Sequence, residues 1–158
     1  MPHELNLTLR PEWEEVEQLN QQAMDFLHGT GMSSTEVDTY TMVICELAEN
    51  SIKYGDSSEP IHLHVRVRAK DVSVQVKNKV RDEAQGHLRE LDQTLQWIRG
   101  VQDPYQAYLE RIRELSREPI ANARSCLGLI RVMYEGRSDV DFVLDDNTLN
   151  VSAQSRAR

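Results

Sequence analysis

The sequence predicts a two-layer α/β (α+β) sandwich, a mostly antiparallel sheet covered on one face by helices. Three observations carry that prediction. Several short runs alternate apolar and polar residues at period two, the pattern of strands with one buried face. Longer runs repeat apolar residues three and four apart, the pattern of helices with one buried stripe. The elements follow in the order strand, helix, helix, strand, strand, helical hairpin, helix, strand, strand. Packing the helices on one face of an antiparallel sheet is the economical way to bury such a set.

The first strand is read from Leu5, Leu7 and Leu9, which alternate with Glu4, Asn6, Thr8 and Arg10. Pro11 ends it and suits the first turn of a helix. That helix runs to His28, with Trp13, Val16, Leu19, Ala23, Phe26 and Leu27 as its apolar stripe, and Gly29-Thr30-Gly31 breaks it. Ser33-Ser34-Thr35-Glu36 has the form of a capping box, so a second helix starts there. It reaches Tyr54 with Val37, Tyr40, Ile44, Leu47, Ala48 and Ser51 inward, and Gly55 is its natural stop.

Next come Ile61, Leu63, Val65 and Val67 on one side of a strand, with His62, His64, Arg66 and Arg68 on the other. After a turn at Ala69-Lys70-Asp71, Val72, Val74 and Val76 face the core. Such clean alternation implies a sheet covered on one face only. Helices are expected over Asp82–Trp97 and Tyr105–Leu115, joined at Gly100–Pro104 as a hairpin. A loop spans Glu118–Ala123, and a short apolar helix, Cys126–Tyr134, ends near Gly136. Val140, Phe142 and Leu144 make a strand, Asp145-Asp146-Asn147 a turn, and Leu149 and Val151 a last strand. The domain is expected to span 1–152, with 153–158 a disordered basic tail.

A chain of 158 residues fits one domain with a real core. Its 18 Lys+Arg against 26 Asp+Glu give a formal net charge of −8, which argues against general nucleic-acid binding. Cys45 and Cys126 form no metal or redox spacing and read as buried free thiols. No leader or membrane-length apolar run is seen, so a cytoplasmic protein without a membrane partner is expected.

Residues Glu46 to Gly55, Glu-Leu-Ala-Glu-Asn-Ser-Ile-Lys-Tyr-Gly, carry the chemistry. On a helix, Glu46, Asn50 and Lys53 fall along one stripe. A Glu one turn before an Asn can orient or deprotonate a hydroxyl while the carboxamide oxygen ligates a hard cation. Magnesium prefers a few protein oxygens plus nucleotide phosphates, so the stripe is a candidate nucleotide site. The alternative is a solvated helix face.

Asn50-Ser51-Ile52-Lys53-Tyr54-Gly55 resembles the N-box of the GHKL (histidine-kinase-like) ATPase superfamily, with Glu46 where the kinase and gyrase types carry a catalytic carboxylate. The element order is also what that superfamily's Bergerat fold would give. Ser125-Cys126-Leu127-Gly128-Leu129-Ile130 resembles the glycine box that closes the ATP lid, with Cys126 where a second glycine is usual. The Asp-x-Gly-x-Gly adenine box is replaced by Lys77-Asn78-Lys79-Val80-Arg81-Asp82, and Asn78 stands about where the Asp belongs. The strand-Asn pattern, helical hairpin and Gly-Leu-Ile segment resemble the SiaB-like branch of bacterial partner-switching kinases.

The resemblance implies a bacterial signalling regulator of the anti-sigma-factor or partner-switching serine/threonine kinase type, using ATP and magnesium. Glu46 would be the general base, Asn50 the magnesium ligand, and Lys53 a phosphate neighbour. Gly55 would close the box, and Asn78 and Gly128 would bound the adenine and lid regions. The implied partner is a STAS-type antagonist or a sigma factor. The rival reading is a degenerate kinase fold that binds a protein without catalysis or tight ATP binding, and a third is a plain α/β domain with a coincidental box. His62 and His64 lack a third metal ligand and read as solvated. Should the basic face they share with Arg66 and Arg68 be used, homodimerisation or a partner contact is the natural reason.

Overall fold

The computed structural model describes residues 3–56, 58–69, 71–82, 89, 93 and 131–155. Its elements are β1 (His3–Leu9), α1 (Trp13–Gly29), α2 (Ser34–Tyr54), β2 (Ile61–Arg68), β3 (Asp71–Lys79), β4 (Ser138–Asp145) and β5 (Thr148–Ser155). Residues 131–134 are helical as well. The strands form one sheet in the order β1-β2-β3-β5-β4, antiparallel at every step. The expected two-layer α+β sandwich is therefore present. Apart from Asp82, Arg89 and Gln93, of which Arg89 and Gln93 are helical, the expected hairpin helices lie outside the described residues, as do the 118–123 loop, Cys126 and Gly128.

The three central strands, β2, β3 and β5, each show one dry face. Leu63, Val65 and Val67 of β2, Val72, Val74 and Val76 of β3, and Leu149, Val151 and Ala153 of β5 are buried together with Val140 of β4. Their polar alternates face outward. Helix α2 closes this face with the expected stripe of Val37, Tyr40, Ile44, Leu47, Ala48 and Ser51, all buried. It opens on Ser33, whose Oγ accepts from the Glu36 N–H at 3.2 Å. Helix α1 packs on α2 through Leu19, Ala23 and Leu27. Its end is closed by Thr30, whose hydroxyl donates to Leu27 O at 2.7 Å, and by Gly31 at φ +87°, a left-handed value that favours glycine.

Three expectations need correction. Trp13 does not join the α1 stripe: it is 57% exposed, because the helix begins at that residue and its first turn overhangs the core. Pro11 stands ahead of the N-cap, Glu12, and not in the first turn. Residues 153–155 are not a tail. They continue β5, where Ala153 and Ser155 are buried and Ser155 Oγ accepts from the Val72 N–H at 2.8 Å.

Candidate functional site

The site grows from the way α2 ends. The last four carbonyls of a helix have no partner within it. Here two of them are taken up by β3 and the residues after it: Asn78 Nδ2 donates to Ser51 O at 3.0 Å, and Arg81 Nη2 donates to Lys53 O at 3.1 Å. The same Nδ2 also donates to Lys79 O at 3.3 Å. The Asp56 N–H donates to Lys79 O at 2.8 Å, and Gly55 bridges to Val80. The end of α2 is thus stitched to the end of β3.

Gly55 is the residue that lets the two approach. Its φ of −77° suits any amino acid, so conformational freedom is not the reason for glycine. Space is the reason: a Cβ there would lie 2.5 Å from Ser51 O and 2.7 Å from Asn78 Nδ2.

Beside the stitch lies a group of buried polar atoms. Asn50 is 6% exposed, Ser51 0% and Asn78 4%. Both amide atoms of Asn50, Ser51 Oγ and Asn78 Oδ1 have no hydrogen-bond partner among the described residues. A buried polar group left so costs about 1–3 kcal/mol, so native chains keep few of them without a use. The neutral Asn50 Oδ1 is a hard oxygen of the kind magnesium accepts, and Asn78, with its amide nitrogen already engaged, offers only an acceptor. These residues fit a magnesium–nucleotide group. A cleft of about 480 Å³ also touches Asn78, but His62, Lys77, Lys79 and Thr148 in its wall put it on the outer side of the sheet, away from Asn50 and Glu46.

One turn earlier on α2, Glu46 is half-buried and paired with Arg131 Nη1 at 3.5 Å. Arg131 Nε also bonds Glu135 Oε2 at 2.6 Å. Burial pushes the Glu46 carboxyl upward, Glu49 and Glu135 add to this, and Arg131 opposes it. Glu49 is raised by burial and opposed by Arg131 in the same way. A carboxylate with a raised pKa is a stronger base, which suits proton abstraction. Nearby, the Cys45 thiol is pushed up to about 11, chiefly by burial and then by Glu49. It lines a groove of about 370 Å³ between α1 and α2, with Asn20 Nδ2 at 3.8 Å from its sulfur.

The structure therefore brings Asn50, Gly55 and Asn78 to one end of α2, with Glu46 one turn away and Lys53 half-buried on the same helix. Gly128 lies outside the described residues. Sequence reasoning missed Arg131, Glu135 and Arg81. The signal for Arg131 is its place as the single cation in the apolar run Leu127 to Met133. His62 is exposed and His64 half-exposed, on the outer sheet face as expected. Among the described residues no group of three or more His, Cys, Asp or Glu side chains is placed to hold a metal ion. Among them, too, no helix is long and apolar enough to cross a membrane.

Sheet order and helix placement define a class, the two-layer α+β sandwich built on one antiparallel five-stranded sheet. The particular likeness is to a chain in the crystal structure of the SiaB-SiaC complex from Pseudomonas aeruginosa, at a TM-score of 0.70 and 18% identity. It covers 95% of this chain and 88% of that one. No protein-family model and no curated protein matches the sequence.

Proposed function

We propose that the chain is a GHKL-type, ATP- and magnesium-binding regulator of bacterial signalling, a partner-switching serine/threonine kinase-like protein that acts in the cytoplasm. The observation that carries this reading is the Asn50 carboxamide, buried one turn from a half-buried Glu46 and without a partner among the described residues. Bound magnesium would supply charge neutralisation at the ATP phosphates. Asn50 Oδ1 would hold it, Lys53 would lie near phosphate, Asn78 Oδ1 would accept from the adenine amino group, and Gly128 would belong to the lid. Glu46 would take the proton from a partner's hydroxyl, a serine or threonine of a STAS-type antagonist or a sigma factor. Phosphoryl transfer rests on positioning and charge, and two rigid elements locked end to end are a suitable platform.

A second reading has its own support. Glu46 is engaged by Arg131, and the Asn78 amide nitrogen is spent on Ser51 O and Lys79 O. Both favour a degenerate fold that binds a protein partner without turnover. The neighbour's occurrence in a complex with another protein is compatible with either reading.

Calorimetry with Mg-ATP separates them. Micromolar binding that Asn50→Ala abolishes supports the nucleotide site. Absence of heat at millimolar ATP leaves the adaptor reading.

A further inference from the structure

The outer face of the sheet carries two bands of opposite charge on opposite sides. On β2 the outward residues are His62, His64, Arg66 and Arg68, and on β4 they are Asp139, Asp141, Val143 and Asp145. Between the bands, Ser73 and Gln75 of β3 and Asn150, Ser152 and Gln154 of β5 are neutral, and Lys77 of β3 beside them is charged. The strand register fixes which of these share a row. Arg66, Ser73, Gln154 and Asp139 form one row, and His64, Gln75, Ser152 and Asp141 the next. His62, Lys77, Asn150 and Val143 form a third.

We propose that this face pairs with the same face of a second copy of the chain, about a two-fold axis parallel to the strands and lying between β3 and β5. Such an axis carries β2 of one copy over β4 of the other, and β3 over β5, without moving any residue out of its row. Arg66 of one copy then meets Asp139 of the other, and His64 meets Asp141. Because the contact is isologous, each pair occurs twice. Ser73 meets Gln154 and Gln75 meets Ser152, so the neutral centre forms hydrogen bonds. Val143, 60% exposed, is covered by His62.

Charge favours this axis over two alternatives. Moving the axis onto β3 would place β1 over β4 and set Glu4 against Asp139 in their shared row. Turning it across the strands would stack β2 on β2, cation on cation. The occupant is a second copy because two adjacent rows of one face each hold a basic residue on β2 and a carboxylate on β4. Within one copy Arg66 and His64 already lie 3.9 Å and 3.8 Å from Glu4, and Asp139 and Asp141 have contacts of their own, so the dimer exchanges exposed contacts of little strength for pairs between copies. Four strands of this length offer about 500 Å² a copy, or about 1,000 Å² in all, the lower bound of a specific interface. The dimer is therefore weak and concentration-dependent.

Sedimentation velocity on the full chain, from micromolar to near-millimolar concentration, tests this with two surface variants. One carries Arg66→Glu with His64→Asp, and the other Asp139→Lys with Asp141→Lys. The native chain is expected to move toward twice 18.2 kDa as concentration rises, and back as salt is added. Each variant alone should stay monomeric, and an equimolar mixture of the two should dimerise again. A native chain that remains monomeric throughout overturns the proposal, as does a variant that still dimerises alone or a mixture that does not.

Discussion

Gly55→Ala isolates the contact on which the site is built. Two effects of opposite sign compete. The backbone at Gly55, φ −77° and ψ 159°, is open to alanine, so the substitution lowers unfolded-state entropy and should stabilise by about 0.4–1 kcal/mol. Against this, the new methyl would sit 2.5 Å from Ser51 O and 2.7 Å from Asn78 Nδ2. Neither neighbour can give freely, since they are bonded to each other at 3.0 Å inside the protein. Overpacking of this kind costs about 1–3 kcal/mol, and a strained or broken buried hydrogen bond adds to it. The net expectation is a loss of about 1–2 kcal/mol, seen as a Tm lower by about 3–8 °C for a chain of this length. Thermal unfolding followed by circular dichroism measures it, with Asn78→Ala as the companion variant. In that background one of the two clashes is gone, so Gly55→Ala should cost less than in the native chain. A Tm equal to or above that of the native protein would refute the close-approach argument.

Three further outcomes follow from the same geometry. Asn50→Ala removes two buried atoms that lack partners among the described residues and improves helix propensity, so the Tm should hold or rise slightly while Mg-ATP binding is lost. A large fall in Tm would show that the carboxamide is structural. Because the folded-state pKa of Glu46 is raised, the native state holds its proton more tightly than the unfolded state does, and stability from this group falls as pH rises above about 4.5. Glu46→Gln should therefore be more stable than the native chain at pH 8, with the difference shrinking toward pH 4.5, as differential scanning calorimetry would record. In a Cys126→Ser background, Cys45 should react with a thiol reagent at pH 8 only as fast as the protein opens, its pKa of about 11 and its burial both opposing attack. Rapid stoichiometric labelling of the folded protein would contradict that environment.

How much was legible in the sequence depended on whether a residue acts locally. The capping box at Ser33, the α2 stripe from Val37 to Ser51, and the alternation of β2 and β3 all appear in the structure as read. Each is a periodic pattern that follows from the geometry of one element. Trp13 broke the rule because a helix stripe says which side faces inward, not whether the core extends under the first turn. The C-terminal residues broke it because Gln154 and Ser155 look like a polar tail until β3 is laid beside them and Val72 needs a partner.

The sequence by itself determined the class of fold and the placing of Glu46, Asn50 and Lys53 on one helix, since both follow from periods of two and of three to four residues. Tertiary structure alone decided what those residues meet. Asn78 and Ser51 are 27 positions apart, and Glu46 and Arg131 are joined across the fold. The strand register likewise sets Arg66 in the row of Asp139. Such pairings depend on how elements pack, and neither composition nor local spacing encodes which carbonyl, carboxylate or strand will be the neighbour.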